Sequence, residues 1–130
     1  MQLRRLPGEP DAIAPDGSAV RVLVALAGGS MAHFELAAGE TSAAVRHRTV
    51  EELWYFLGGR GEMWRRDADG HESVDAVEAG VSLDIPLGTS FQFRALGASE
   101  PLRAVGVTMP PWPGEGEAEL VEGPWRATVA

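Results

Sequence analysis

Cysteine is absent from all 130 residues, so neither a disulfide nor a thiolate metal site can form. No apolar run approaches the length that crosses a bilayer, and Arg4 and Arg5 are followed by no hydrophobic stretch. Neither a signal peptide nor an anchor is expected, and a soluble cytoplasmic protein with no membrane partner is the reading that follows. Positive charge is scarce: 11 Lys and Arg stand against 19 Asp and Glu, a formal net charge of −8. A phosphate backbone needs a basic footprint, so nucleic acid is not an expected partner. Sustained helical periodicity is missing too, which argues against a βαβ architecture.

What is present is an all-β pattern, with short apolar runs punctuated by glycine and proline. Val20, Val22, Val24 and Leu26 alternate as one half-buried strand, and Gly28-Gly29 turns the chain into Met31 to Ala37. Glu51 to Leu57 is the strongest strand signal, stopped by Gly58-Gly59. Glu62 to Arg66 follows, then the hairpin turn Asp67-Ala68-Asp69-Gly70. Further strands are expected near Glu72 to Val77, Val81 to Ile85, Ser90 to Arg94 and Leu102 to Thr108. Turns at this density predict a sandwich or barrel. One domain is expected over residues 1–130, with a core at about 20–108. Residues 109–130 form a proline-rich C-terminal arm, because Pro110, Pro111 and Pro113 cannot serve a central strand. Trp112 and Trp125 should hold that arm against the barrel or a neighbouring subunit.

Two glycine-bounded segments carry the most specific spacing. Gly39, Val45, His47, Glu52 and Gly59 fall at the intervals of the pattern G-x5-H-x-H-x3,4-E-x6-G. Gly80, Pro86, Gly88, Phe91 and Ala95 fall at those of G-x5-P-x-G-x2-H-x3-N. Together they resemble the paired motifs of the cupin superfamily. The resemblance implies a double-stranded β-helix, or jelly-roll barrel, with N- and C-terminal arms. It also implies where a metal would sit, since metal-holding cupins generally use three histidines and one glutamate. Here His47 and Glu52 keep those positions, while Val45 and Phe91 replace two histidines.

A catalytic metal usually needs about three protein ligands. No tightly bound metal or other cofactor is therefore expected. A divalent metal, if held at all, would use His47 and Glu52, with His33 as a possible third donor from a neighbouring strand. Period-two alternation defines the rest of the pocket: Trp54 and Phe56 share a face with Glu52, His47 with Val45, and Phe93 with Phe91. The expected site is an aromatic lumen for a small organic ligand, with His47 and Glu52 as an acid–base pair. Such a pair suits isomerisation or cyclisation of a carbonyl compound or sugar. Three other readings stay open: a metal-dependent oxygenase or isomerase with a reduced ligand set, a non-catalytic binding or regulatory module, and aromatics that merely fill the barrel.

Outside the lumen, Leu53, Tyr55 and Leu57 make the outer face of the same strand apolar. Such a face predicts a homodimer, or cover from the chain's own arms. Glu115, Glu117, Glu119 and Glu122 read as a solvated tail, and Arg46, Arg48, Arg60, Arg65 and Arg66 as a possible anion-attracting rim. His71 is expected in an exposed loop, and Trp64 in the core or an interface. Neither a nucleophile-elbow motif nor a P-loop is present.

Overall fold

The computed structural model describes residues 1–129 as two antiparallel sheets with no helix among them. The strands in chain order are β1 (Ala12–Ile13), β2 (Ala19–Leu26), β3 (Gly29–Leu36), β4 (Val45–His47), β5 (Glu51–Gly58), β6 (Arg60–Arg66), β7 (Glu72–Glu78), β8 (Ser82–Ile85), β9 (Ser90–Leu96), β10 (Leu102–Met109) and β11 (Ala118–Leu120). One sheet runs β1-β2-β3-β10-β5-β8 and the other β11-β4-β9-β6-β7. No helix is long and apolar enough to cross a membrane.

Alternation in sequence becomes alternation in burial. Along β5, Glu52, Trp54, Phe56 and Gly58 are buried while the residues between them are exposed. Along β10, Leu102, Ala104, Gly106 and Thr108 face inward in the same way. Phe56, Phe91, Phe93, Met63 and Leu36 are large, fully buried side chains of the hydrophobic core. Burial of apolar area on this scale is the main force closing the sheets on each other.

The glycines of the recognised motifs close the corners. Gly59 joins β5 to β6 at a φ of 77°, and a Cβ there would sit 2.3 Å from the carbonyl oxygen of Pro101, so no other residue fits without displacement. On the predicted hairpin turn, Asp67 Oδ1 accepts the backbone N–H groups of Asp69 and His71 at 2.9 and 3.0 Å.

The C-terminal arm is more structured than a proline-rich extension implies. It contributes β11, which pairs with β4, and then crosses the outer face of the second sheet. There Gln92 donates to the carbonyls of Ser42 and Trp125, each at 2.8 Å, and the Trp125 N–H returns a bond to Gln92 Oε1. Arg94 lies over the Trp125 ring at 4.1 Å. This cover explains why β9 is buried on both faces; Trp64, the register partner of Gln92, is buried beside it. His71 is exposed, as expected of a loop residue.

Two charge expectations need correction. The acidic tail is not uniformly solvated, because Glu117 is buried and Glu119 pairs with Arg46 and Arg48. Most of the arginine rim is neutralised: besides that pairing, Arg65 meets Asp75 and Asp84, and Arg66 meets Glu72. Carboxylates brought in from distant strands cancel the field that a local run of arginines suggests.

Candidate ligand cavity

A cavity of about 410 Å³ opens between the sheets, lined mainly by apolar side chains with a few polar groups among them. Val45, His47, Glu52, Trp54 and Phe91 all line it, as the strand alternation predicts. Phe56 and Phe93 do not reach the lumen; they are fully buried packing against Trp54, whose ring stands 5.3 Å from Phe93 in an edge-on contact. His33 does not line it either. Its register partners are Arg21 and Val105, on the face turned away from the lumen, where Arg21 donates to the carbonyls of Pro7 and Gly8. The N-terminal segment covers that face, so His33 is removed from the candidate ligand set. Burial lowers its pKa.

The flat walls come from stacking. Phe34 and Trp54 lie parallel, with ring centroids 4.8 Å apart and planes 5° apart. Gly106 on β10 makes room for them, because a Cβ there would lie 2.8 Å from the Phe34 ring and 3.1 Å from the Trp54 indole nitrogen. At the mouth, Trp112 stands edge-on to His47 at 5.0 Å, and its backbone N–H bonds Ser30 Oγ at 2.9 Å. Ala12 to Asp16 and Pro111 complete the rim. These segments, a two-residue strand and irregular chain, are too short to show a period in the sequence.

The polar centre is built at a corner between the sheets. His47 ends β4 in one sheet, Glu52 begins the buried face of β5 in the other, and Arg48 to Val50 bridge them. Glu117 clamps that bridge: its carboxylate accepts the N–H of Thr49 at 2.6 Å, the N–H of Val50 at 3.0 Å and the Thr49 hydroxyl. Its own carbonyl accepts the Arg48 N–H. Burial alone would raise the Glu117 pKa, but these bonds outweigh it and the group stays ionised below its usual range. Nothing in its glutamate-rich stretch distinguishes Glu117 as a clamp.

With the corner held, His47 Nδ1 and Glu52 Oε2 stand 3.4 Å apart, the imidazole 9% exposed and the carboxyl 2%. The two atoms are in contact without forming a hydrogen bond, neither has any other partner, and both are sealed from solvent. Burial drives the His47 pKa down to about 4, opposed by the Glu117 charge. Burial pushes the Glu52 pKa up to about 8, reinforced by Asp16 and opposed by the Trp54 indole N–H. That indole group is close enough to favour the anion yet forms no hydrogen bond. Burial thus favours the neutral form of each, an imidazole beside a carboxylic acid over an ion pair. Asp16, on the cavity rim, is also raised by burial, against two hydrogen bonds from Ser18.

The donor set does not suit a tightly held cation. His47 and Glu52 are two side-chain donors, and Val45 and Phe91 put a methyl group and a phenyl ring where further ligands would be needed. Among the described residues, the cluster of three His, Asp or Glu donors within reach of one ion is Asp67, Asp69 and His71. It lies away from the cavity, and its geometry is that of the turn it closes.

No protein-family model matches the chain, and no curated protein matches its sequence. Solved structures do match its fold. An oxalate decarboxylase from Bacillus subtilis superposes with a TM-score of 0.71 at 18% identity, over 83% of this chain and 29% of that one. The coconut allergen cocosin gives 0.69 at 19% identity, over 82% of this chain and 30% of that one. A conserved protein with a double-stranded β-helix domain from Klebsiella pneumoniae gives 0.65 at 18% identity, over 93% and 91%. The chain therefore spans under a third of the length of the first two and nearly all of the third. Its fold is that of the cupin superfamily, a double-stranded β-helix.

Proposed function

We propose that this protein binds a small organic molecule in the lumen of its barrel, without a tightly held metal, and that His47 and Glu52 handle a proton on that molecule. The observation that carries the reading is an imidazole and a carboxyl group buried side by side at 3.4 Å on the wall of an otherwise apolar cavity. Apolar cavities with a few convergent polar groups are the usual form of small-ligand sites.

The chemistry follows from the atoms left over. Nδ1 and Oε2 face each other, which leaves Nε2 and Oε1 for a ligand. When Oε1 carries the acid proton, Nε2 is a free base. Transfer of the Oε1 proton to a ligand oxygen, with transfer of a ligand C–H or N–H proton to Nε2, leaves an imidazolium beside a carboxylate. Approach of the two groups from 3.4 Å to hydrogen-bond contact lets the Nδ1 proton pass to Oε2 and restores a neutral pair. The net result is a keto–enol or lactam–lactim shift with every proton accounted for, which is isomerase chemistry without a metal.

Two further elements belong to the proposal. The exposed apolar face of β5 pairs two copies of the chain into a homodimer, and the cysteine-free chain resides in the cytoplasm. A thermal-shift and crystallographic screen of small carbonyl compounds tests the central reading, since a ligand of the folded state raises the melting temperature. Bound density between His47, Glu52 and Phe91 supports it. Near-stoichiometric iron, manganese, nickel or zinc in protein purified without chelator overturns the metal-free version.

A further inference from the structure

The lining of the cavity also restricts the charge of its occupant. Its residues include no arginine or lysine, and its ionisable groups are His47, Glu52 and Asp16. The arginines of the neighbouring strands are engaged on outer faces, Arg46 with Glu119 and Arg94 with Glu62. A carboxylate entering the lumen meets no cation and two carboxyl groups. An unpaired buried charge is costly, so such a ligand is excluded by desolvation before any specific repulsion is counted.

The hydrogen-bonding pattern narrows the class further. Nδ1 and Oε2 are 3.4 Å apart and sealed from solvent, and the pair can share its protons between them in two ways. In one, Nε2–H donates and Oε1 accepts; in the other, Oε1–H donates and Nε2 accepts. Either arrangement leaves the lumen one donor and one acceptor from residues in contact with each other. Next to that edge stand the parallel rings of Phe34 and Trp54, with Phe91 and Trp112 edge-on to His47. We propose that the cavity selects an uncharged, flat molecule whose rim carries a donor and an acceptor on neighbouring atoms, as in a carboxamide, a lactam or an enolised carbonyl, and that it rejects carboxylates. This rests on the small-molecule reading above and adds the chemical class of the ligand.

Cations are disfavoured by the same lining. The Glu52 carboxyl on the aromatic wall is 2% exposed, and that burial disfavours its ionised form. An ammonium or amidinium would have to ionise it, and to give up its own water among apolar walls.

Three probes of one shape separate these cases: 2-naphthamide, 2-naphthoate and 2-naphthamidine. Their dissociation constants for the wild-type protein at pH 7 are to be measured by ligand-observed NMR, with soaked crystals locating each. The amide should bind at least about tenfold more tightly than either charged analogue, a gap that burial of one unpaired charge readily exceeds. Glu52→Gln should retain the amide within a few-fold, since its side chain still offers a donor and an acceptor, whereas Glu52→Leu should lose about tenfold or more. Naphthoate or naphthamidine binding in the lumen as tightly as the amide overturns the selectivity and leaves the cavity a ligand site. Absence of all three from the lumen counts against the small-molecule reading itself, and the selectivity falls with it.

Discussion

His47 and Glu52 meet across the corner between the two sheets, Nδ1 to Oε2 at 3.4 Å, and burial suppresses the charge of both. A buried acid and a buried base kept neutral side by side store opposite dependences of stability on pH, and that makes the pair measurable without knowing the ligand.

Glu52 has its folded-state pKa raised from 4.5 to about 8. The folded state keeps a proton that the unfolded state loses, so its contribution is full below pH 4.5 and is lost as pH rises to about 8. His47, lowered from 6.5 to about 4, has the opposite sign: stability is gained as pH rises from about 4 to 6.5. The two slopes cancel across their common window. Between pH 6.5 and 8 His47 no longer opposes Glu52, and the Glu52 contribution to wild-type stability should fall by about 2 kcal/mol there, in the same direction as that of Asp16, whose pKa burial also raises. Glu52→Gln should remove that loss and be the more stable protein at pH 8. Urea denaturation of both proteins at stepped pH reads the difference, and parallel profiles would mean that Glu52 is not a buried neutral acid.

Glu117 supports the pair from outside the lumen. Glu117→Ala leaves the N–H groups of Thr49 and Val50 and the Thr49 hydroxyl without their charged acceptor. The expected loss is about 2–4 kcal/mol, with Glu117→Gln losing less because one oxygen remains. A second readout separates clamping from electrostatics. The Glu117 charge raises the His47 pKa, so Glu117→Gln should lower it further in a ¹⁵N NMR titration of the imidazole. An unchanged His47 titration would remove the electrostatic link between the arm and the site.

The motif spacing made the barrel legible because glycine corners and period-two strands are local features. Gly59 has to be glycine at its positive φ, and the register of β5 then fixes Glu52, Trp54 and Phe56 on one face. The same alternation, applied to β3 from Phe34, puts His33 on the opposite face, and its retention as a third metal donor ignored that parity. Phe56 and Phe93 share the inward face but lie behind Trp54, a matter of depth that alternation does not encode. Glu117 and Trp112 reach the site through irregular chain, and Ala12 to Asp16 through a two-residue strand and the turn after it. Their contacts run over sequence separations such as the 68 residues between Glu117 and Thr49, for which no pattern exists.

The outer face of β5 carries the last prediction. Leu53 and Tyr55 are 54% and 50% exposed, so the chain's own arms leave them open to water. Val107 and Val105 on β10 are their register partners, and together with Leu83 they line one open groove. Two copies joined across this face would bury an apolar strip that a monomer leaves wet, with Arg65 and Asp84 at its edge as a polar rim. Leu53→Glu combined with Tyr55→Glu should therefore convert a dimer to a monomer in sedimentation at micromolar concentration. Both side chains point away from the core, so the monomer should keep its fold by circular dichroism. A wild-type protein that already sediments as a monomer at that concentration would remove this face from the assembly and leave the lumen chemistry untouched.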